Sequence, residues 1–308
     1  VGVTLTRPGD TSAEELIHQA DVAMYQAKAR GRSRCILFRP EMADQPLDRL
    51  ERETSLRRGI ERRELIVHYQ PVVEANGGKV VGVEALVRWS SGGVIVPPLE
   101  FIPLAEETGL ILPLGRHVLA EACRQVKAWQ DGGLTAEPLL LSVNLSARQF
   151  LDEGLPGDVA RILAETGLPP DQLCLEITES VLMADVSTTM SALQELKDLG
   201  VRLAIDDFGT GYSSLSYLKR FPVDVVKIDR SFVSDLGHHT VDSEIVGAVV
   251  RLAGRLGMSV VAEGVEDTTQ LERLVRLGCP FIQGYLFSPP QPAERVEALI
   301  SQGSLVAN

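Results

Sequence analysis

The chain has 308 residues, 44% of them hydrophobic, and carries 30 Lys or Arg against 42 Asp or Glu, a formal net charge of −12. That length suits one large domain or two ordinary ones, and no apolar run approaches the roughly 18 residues that a membrane span requires. An acidic balance also excludes a general binder of DNA or RNA polymers, whose affinity rests on a basic surface.

In chain order, Val1-Gly2-Val3-Thr4-Leu5 lacks the charged start and long apolar stretch of a signal peptide. It reads as a strand in mid-domain, so the chain is expected to be a piece of something longer. A Pro-Gly-Asp turn at Pro8 precedes a helix over residues 13–29, with Leu16, Ala20, Ala23, Met24 and Ala27 near helical spacing. Gly31 stops it, and Cys35 to Phe38 makes a short closing strand. A charged helix over residues 47–63, with Leu50, Leu56 and Ile60 on one side, serves as connector.

Beyond it, Val/Ile/Leu-rich runs alternate with amphipathic helical stretches. Strands are expected over residues 65–70, 80–88, 139–144, 173–178, 201–206, 223–228, 259–263 and 281–285, with helices over 114–130, 186–199, 242–256 and 268–277. Eight strands mostly separated by helices, over about 245 residues, predict an α/β fold of the (β/α)8 barrel kind. A doubly wound open sheet is the alternative, though no GxGxxG follows the first strand. The first two strands are joined only by Glu74-Ala75-Asn76-Gly77-Gly78-Lys79, too short for a crossover helix, so this pair should be antiparallel.

Residues 1–50 carry seven basic and seven acidic residues, so the whole excess, 23 basic against 35 acidic, lies beyond position 50. Either it is solvated surface, or some carboxylates converge on cations. Cys35, Cys123, Cys174 and Cys279 form no CxxC, and none of His18, His68, His117, His238 and His239 stands at zinc-ligand spacing. Scattered cysteines of this kind suit a reducing compartment. Toward the carboxyl ends of successive strands fall Glu84, Asn144, Glu176, Asp206, Asp207, Lys227, Glu263 and Gln283. Each has an ordinary explanation alone: a rim carboxylate, a structural ion pair, an Asn capping the turn at Ser146, an Asp-Asp turn before Gly209. Together they do not, because several buried carboxylates without cations cost several kcal/mol apiece. Oxygen donors without His or Cys point to Mg²⁺ or Mn²⁺, and the excess of carboxylates to two ions. Phosphoester cleavage and enolase-type chemistry both remain open on spacing alone.

Glu84-Ala85-Leu86-Val87-Arg88-Trp89 resembles the signature of the EAL family of cyclic-di-GMP phosphodiesterases. The likeness continues through Tyr69-Gln70-Pro71, Phe101-Ile102-Pro103-Leu104-Ala105-Glu106, Asn144-Leu145-Ser146 and Leu175-Glu176-Ile177-Thr178-Glu179-Ser180. It then takes in the block from Asp206-Asp207-Phe208-Gly209 to Phe232, and ends on Ala262-Glu263-Gly264-Val265-Glu266 and Gln283-Gly284-Tyr285. The residues from Ala20 to Lys28, with Gly31-Arg32, are similar to the last helix and strand of a GGDEF diguanylate cyclase domain whose cyclase signature is absent. The implied organisation is residues 1–40 as that remnant, 41–62 as linker and leading helix, and 63–308 as the phosphodiesterase barrel.

The resemblance implies Glu84, Asn144, Glu176 and Asp206 as ligands of one metal, Asp206 and Asp207 as ligands of a second, and Glu263 near both ions. It implies Asp207, Glu263 and Lys227 in catalysis, with the choice of base between Glu263 and Lys227 open. Gln70, Leu86, Arg88 and Gln283 would meet the substrate, and Glu179 would anchor the loop after Asp207. The implied reaction is attack of metal-activated water on cyclic-di-GMP, giving linear pGpG. The implied setting is bacterial second-messenger signalling, as a cytoplasmic homodimer with no membrane contact within this chain. A non-catalytic cyclic-di-GMP receptor or regulatory module is the alternative.

Overall fold

The computed structural model describes residues 1–5, 12–29, 35–38, 45–135, 137–184, 186–210, 218–236 and 240–305. The expected turn at Pro8, the stop at Gly31 and the pair His238-His239 lie outside the described residues. The chain divides into two compact units, Val1–Arg58 and Gly59–Asn308.

In the first unit β1 (Gly2–Val3) and β2 (Ile36–Leu37) pair in parallel, with the helix Ala13–Ala29 between them. Parallel strands need such a crossover. Ala23, central to the predicted apolar stripe, is fully buried. The helix Gln45–Glu61 begins in this unit and runs past its boundary.

The second unit contains β3 (Leu65–Glu74), β4 (Val80–Ser91), β5 (Val94–Val96), β6 (Leu140–Leu145) and β7 (Leu173–Thr178). After them come β8 (Arg202–Phe208), β9 (Val225–Ile228), β10 (Ser259–Ala262) and β11 (Phe281–Ile282). Their order is β3-β11-β10-β9-β8-β7-β6-β4-β5, and a further pairing of β3 with β4 closes eight strands into a barrel. The expected barrel is thus present. Its first pair is antiparallel, in one register from Leu65↔Trp89 to Val72↔Gly82 and shifted by one residue at Val73↔Val80. The connecting turn needs two left-handed residues in succession, supplied by Gly77 (φ 97°) and Gly78 (φ 66°). β5, which the sequence reading passed over, is a short antiparallel addition to the outer end of β4.

Helices cover the outside. Ile111–Asp131 buries Ile111, Leu114, Val118, Ala122, Val126 and Trp129, the three-and-four spacing of one helix face. Trp129 meets Tyr69 of β3 edge-on, with ring centroids 5.1 Å apart. Pro98–Thr108, Leu155–Thr166 and Ala293–Ile300 are further helices that the strand-helix alternation had not singled out. Thr268–Leu277 has the predicted bounds because Asp267 and Gln270 close a capping box at its start and left-handed Gly278 ends it.

Two strands stop short of expectation. β10 ends at Ala262, although Glu263 N–H still donates to Ile228 O at 3.1 Å. β11 ends at Ile282, where the backbone leaves the regular ladder and Val265 N–H donates to Gln283 O at 3.1 Å. Both polar side chains therefore stand just past the strand ends, at the barrel's carboxyl-terminal mouth.

Candidate active site at the carboxyl ends of the barrel strands

Each of the eight barrel strands brings one polar side chain to the same place. They are Gln70 on β3, Glu84 on β4, Asn144 on β6, Glu176 on β7, Asp206 on β8 and Lys227 on β9, with Glu263 and Gln283 following β10 and β11. Lys227 is the hub. Its Nζ lies 2.6 Å from Glu176 Oε2, 2.6 Å from Glu263 Oε1, 3.2 Å from Glu84 Oε2 and 3.5 Å from Asp206 Oδ1. It neutralises no single partner but is shared among four.

Glu84 is held from every side. Asn144 Nδ2 donates to its Oε1 at 2.6 Å, and Gln283 Nε2 donates to its Oε2 at 2.7 Å. Gln283 Nε2 also lies 3.0 Å from Gln70 Oε1, while Gln70 Nε2 donates to Ser288 O at 3.0 Å. Asn144 is therefore spent on Glu84 and not on the turn at Ser146, which has its own capping box with Gln149.

The adjacent acids Asp206 and Asp207 lie at the end of the expected strand, in a bulge and not in the turn that was their ordinary explanation. Ile205 pairs with Val226 and Phe208 with Ile228, so β8 has one residue more than β9 across this interval. Asp207 takes the left-handed conformation, φ 53°. In a regular strand neighbours point to opposite faces; a bulge with one left-handed residue re-aims them. Asp206, Asp207 and Glu263 consequently bring one carboxylate oxygen each to within 4.8 Å of one another. Just beyond, Gly209 N–H donates to buried Glu179 Oε2 at 3.0 Å, placing Glu179 at the start of the loop it was expected to anchor. The remainder of that loop, residues 211–217, lies outside the described residues.

The charges answer to this geometry. Burial opposes the charge of Lys227, but Glu176, Glu263, Glu84 and Asp206 outweigh it and raise its pKa well above the ordinary lysine value. Burial would raise Glu84, yet Lys227, Gln283 and Asn144 bring it below the usual carboxylate range. Glu263 is pushed up to about 7, by burial and then by Asp206 and Glu84, against the pull of Lys227. Burial and the neighbouring Asp206 and Asp229 raise Asp207 as well.

Among the described residues Gln283 Oε1 accepts no hydrogen bond, and Asp206 Oδ1 has only the long 3.5 Å ion pair with Lys227. Buried acceptors are normally satisfied, and an ion is one of the things that satisfies them. Oxygen-only donors, three of them already convergent, fit a hard divalent cation. The predicted ligand set falls in two parts: Asp206, Asp207 and Glu263 converge, while Glu84 and Glu176 are clamped by Lys227.

Arg88 lies four residues after Glu84 on the same face of β4, half-buried, with Nη1 donating to Val87 O at 2.8 Å. Leu86 stands between them and pairs across the ladder with His68. Beside Leu86 and Asn144 opens a cavity of about 250 Å³ with a mainly apolar lining that includes Ile102 and Leu145. Beside these stand His68, which its sequence spacing marks only as no zinc ligand, and Ser288, whose carbonyl holds Gln70. Alternation two residues before Gln70 was a signal for the first; nothing local announces the second.

Residues 53–290 match the EAL domain family. The chain belongs to the EAL-domain family. Over 98% of its length it is 46% identical to the bifunctional diguanylate cyclase/cyclic di-GMP phosphodiesterase MucR of Pseudomonas aeruginosa. Over 96% it is 40% identical to the cyclic di-GMP phosphodiesterase PdeR of Escherichia coli K12. It spans 44% of the length of each of these relatives. A solved structure of PaMucR phosphodiesterase in complex with c-di-GMP superposes with a TM-score of 0.76 at 47% identity, covering 80% of this chain and 99% of that one. The cluster around Lys227 thus lies within an EAL domain, on the barrel face where such folds carry their chemistry.

Proposed function

We propose that the chain is a metal-dependent phosphodiesterase that hydrolyses cyclic-di-GMP to linear pGpG. The observation that carries this reading is the convergence of Asp206, Asp207 and Glu263 beside the Lys227-clamped pair Glu84 and Glu176. The names of MucR and PdeR, and the c-di-GMP complex of PaMucR, support the choice of substrate.

Glu84, Asn144, Glu176 and Asp206 would hold one Mg²⁺ or Mn²⁺, and Asp206, Asp207 and Glu263 a second. Such ions supply Lewis-acid polarisation of the phosphate and a lowered pKa for water. Lys227 bonds to Glu84 and Glu176, so its ammonium and an ion held by those carboxylates would share the same oxygens. Lys227 is kept protonated by its four carboxylates, so it donates to and orients the attacking water and leaves proton acceptance to Glu263. The water oxygen bonds to phosphorus and the P–O3′ bond breaks, leaving a 5′-phosphate; O3′ takes a proton from solvent to become a hydroxyl, and Glu263 returns to solvent the one it accepted. Arg88 holds a phosphate by charge-assisted hydrogen bonds, Leu86 offers apolar contact, and Gln70 and Gln283 complete the wall. Glu179 steadies the loop that begins at Gly209.

We read residues 1–40 as the end of a GGDEF domain, 41–62 as linker and 63–308 as the barrel. The similarity to MucR extends well before residue 53, and its name includes a cyclase. The family tendency to pair supports a homodimer, which light scattering tests. Free cysteines at positions 35, 123, 174 and 279 suit a cytoplasmic setting. Among the described residues no helix is long and apolar enough to cross a membrane.

Incubation with cyclic-di-GMP and Mg²⁺ or Mn²⁺ should yield pGpG, and EDTA should abolish it. Substrate binding without product would replace the enzyme by a receptor.

A further inference from the structure

Barrels of this kind ordinarily fill their interior with layers of bulky branched side chains. Here the layer beneath the acidic cluster is small along one wall. Counting back two residues from Glu84, Asn144, Glu176 and Asp206 on their strands gives Gly82, Ser142, Cys174 and Ala204. Val225 and Val261 pack against Cys174 and Ala204, and Val72 and Phe281 pack on that group, yet the layer does not close. A cavity of about 350 Å³ lies within it, lined by Gly82, Ser142, Val225, Val261 and Phe281. Glu176 and Lys227, each 2% exposed, also line it. Asp171, Gln172, Arg202 and Ser259 line it too, at the strand starts.

The cavity therefore reaches the cluster from the side opposite Arg88 and Leu86. It has room for several waters and offers what buried water needs: two hydroxyls, two carboxylates, an ammonium and a guanidinium along one space. An unhydrated cavity against an ion pair would be costly, since charges withdrawn from water need other partners.

We propose that the amino-terminal half of the barrel is a water-filled well that supplies the site from below. The proposal rests on the phosphodiesterase reading for its purpose. Each turnover consumes one water, and a substrate seated at the carboxyl-terminal mouth closes the direct path from solvent on that side. Water then enters past Ser259, moves along Ser142, and reaches the Lys227–Glu176 pair while substrate is bound. Ser142 and Ser259 border this path by their position, and neither contacts the reacting phosphate.

The experiment plugs the well in the full chain: Ser142→Leu within it and Ser259→Phe at its mouth, with Ser259→Ala as the open control. Two quantities are read on the Mg²⁺-loaded protein: the number of slowly exchanging internal waters, by oxygen-17 relaxation dispersion, and steady-state hydrolysis of cyclic-di-GMP. Both plugs should remove internal waters and lower kcat about tenfold, with KM and metal affinity unchanged, while Ser259→Ala keeps wild-type values. Two independent plugs guard against one that merely misfolds, which circular dichroism would reveal. An unchanged water count in both folded plugs overturns the well, and lost waters with an unchanged kcat overturn its role as supply. Absence of hydrolysis in the wild-type protein would instead overturn the phosphodiesterase reading, and the water count would still report on the well.

Discussion

One lysine decides the electrostatics of the site. Lys227, only 2% exposed, is the shared partner of four carboxylates, and removing a partner from a buried ionic group is far costlier than never having had the group. Lys227→Met should destabilise the metal-free chain by about 3–5 kcal/mol at neutral pH, measured by urea unfolding. The loss should shrink toward pH 5, where the stranded carboxyls take up protons; an equal loss at both pH values would show that packing dominates. Glu263 carries a second consequence. Its carboxyl, pushed up to about 7, must give up its proton to become a ligand. Apparent Mn²⁺ affinity should therefore rise about tenfold per pH unit below that value and level off above it. Calorimetry in buffers of different ionisation enthalpy should record the released proton, and Glu263→Gln should abolish both the slope and that proton.

At the scale of elements, the β8 bulge converts a sequence neighbour pair into a site. The bulge was not legible in Asp206-Asp207 because acidic pairs before glycine are also what turns are made of, and only the partner strand's count exposes the extra residue. The strands themselves were legible, since their apolar runs and the short Gly77-Gly78 connection allow few alternatives. Their last residues were not, because Glu263 and Gln283 leave the ladder through contacts with distant chain. The bulge also sets stability against function. Asp207 is left-handed, a conformation that costs a residue with a Cβ about 1 kcal/mol and glycine nothing. Asp207→Gly should stabilise the fold by about that amount and weaken metal binding, whereas Asp207→Asn should weaken binding without the gain. Paired thermal melts and metal titrations separate the two effects; a destabilised Asp207→Gly would mean that the side chain, and not the backbone, holds the bulge.

For the whole molecule, composition gave only an acidic surplus and a choice of meanings for it. The structure draws five of those side chains, Glu84, Glu176, Asp206, Asp207 and Glu263, into one mouth with a single lysine among them. Motif order makes that cluster legible in the sequence; the division of labour within it is not, because it depends on which oxygens Lys227 reaches. The consequence for stability has a definite sign. A carboxyl raised from 4.5 to about 7 keeps its proton in the folded chain over a range where the unfolded chain has already lost it. The folded state then binds more protons, and stability falls as pH climbs through that interval. Glu176, raised well above its ordinary value by burial and by its acidic neighbours against Lys227, acts in the same direction. Divalent cation bound only by the folded state reverses the trend, contributing about 2.7 kcal/mol at one hundred times its Kd. The metal-free chain should thus melt lower at pH 8 than at pH 6, and saturating Mn²⁺ should raise the melting temperature more at pH 8. Equal increments at the two pH values would place the cation away from these carboxylates.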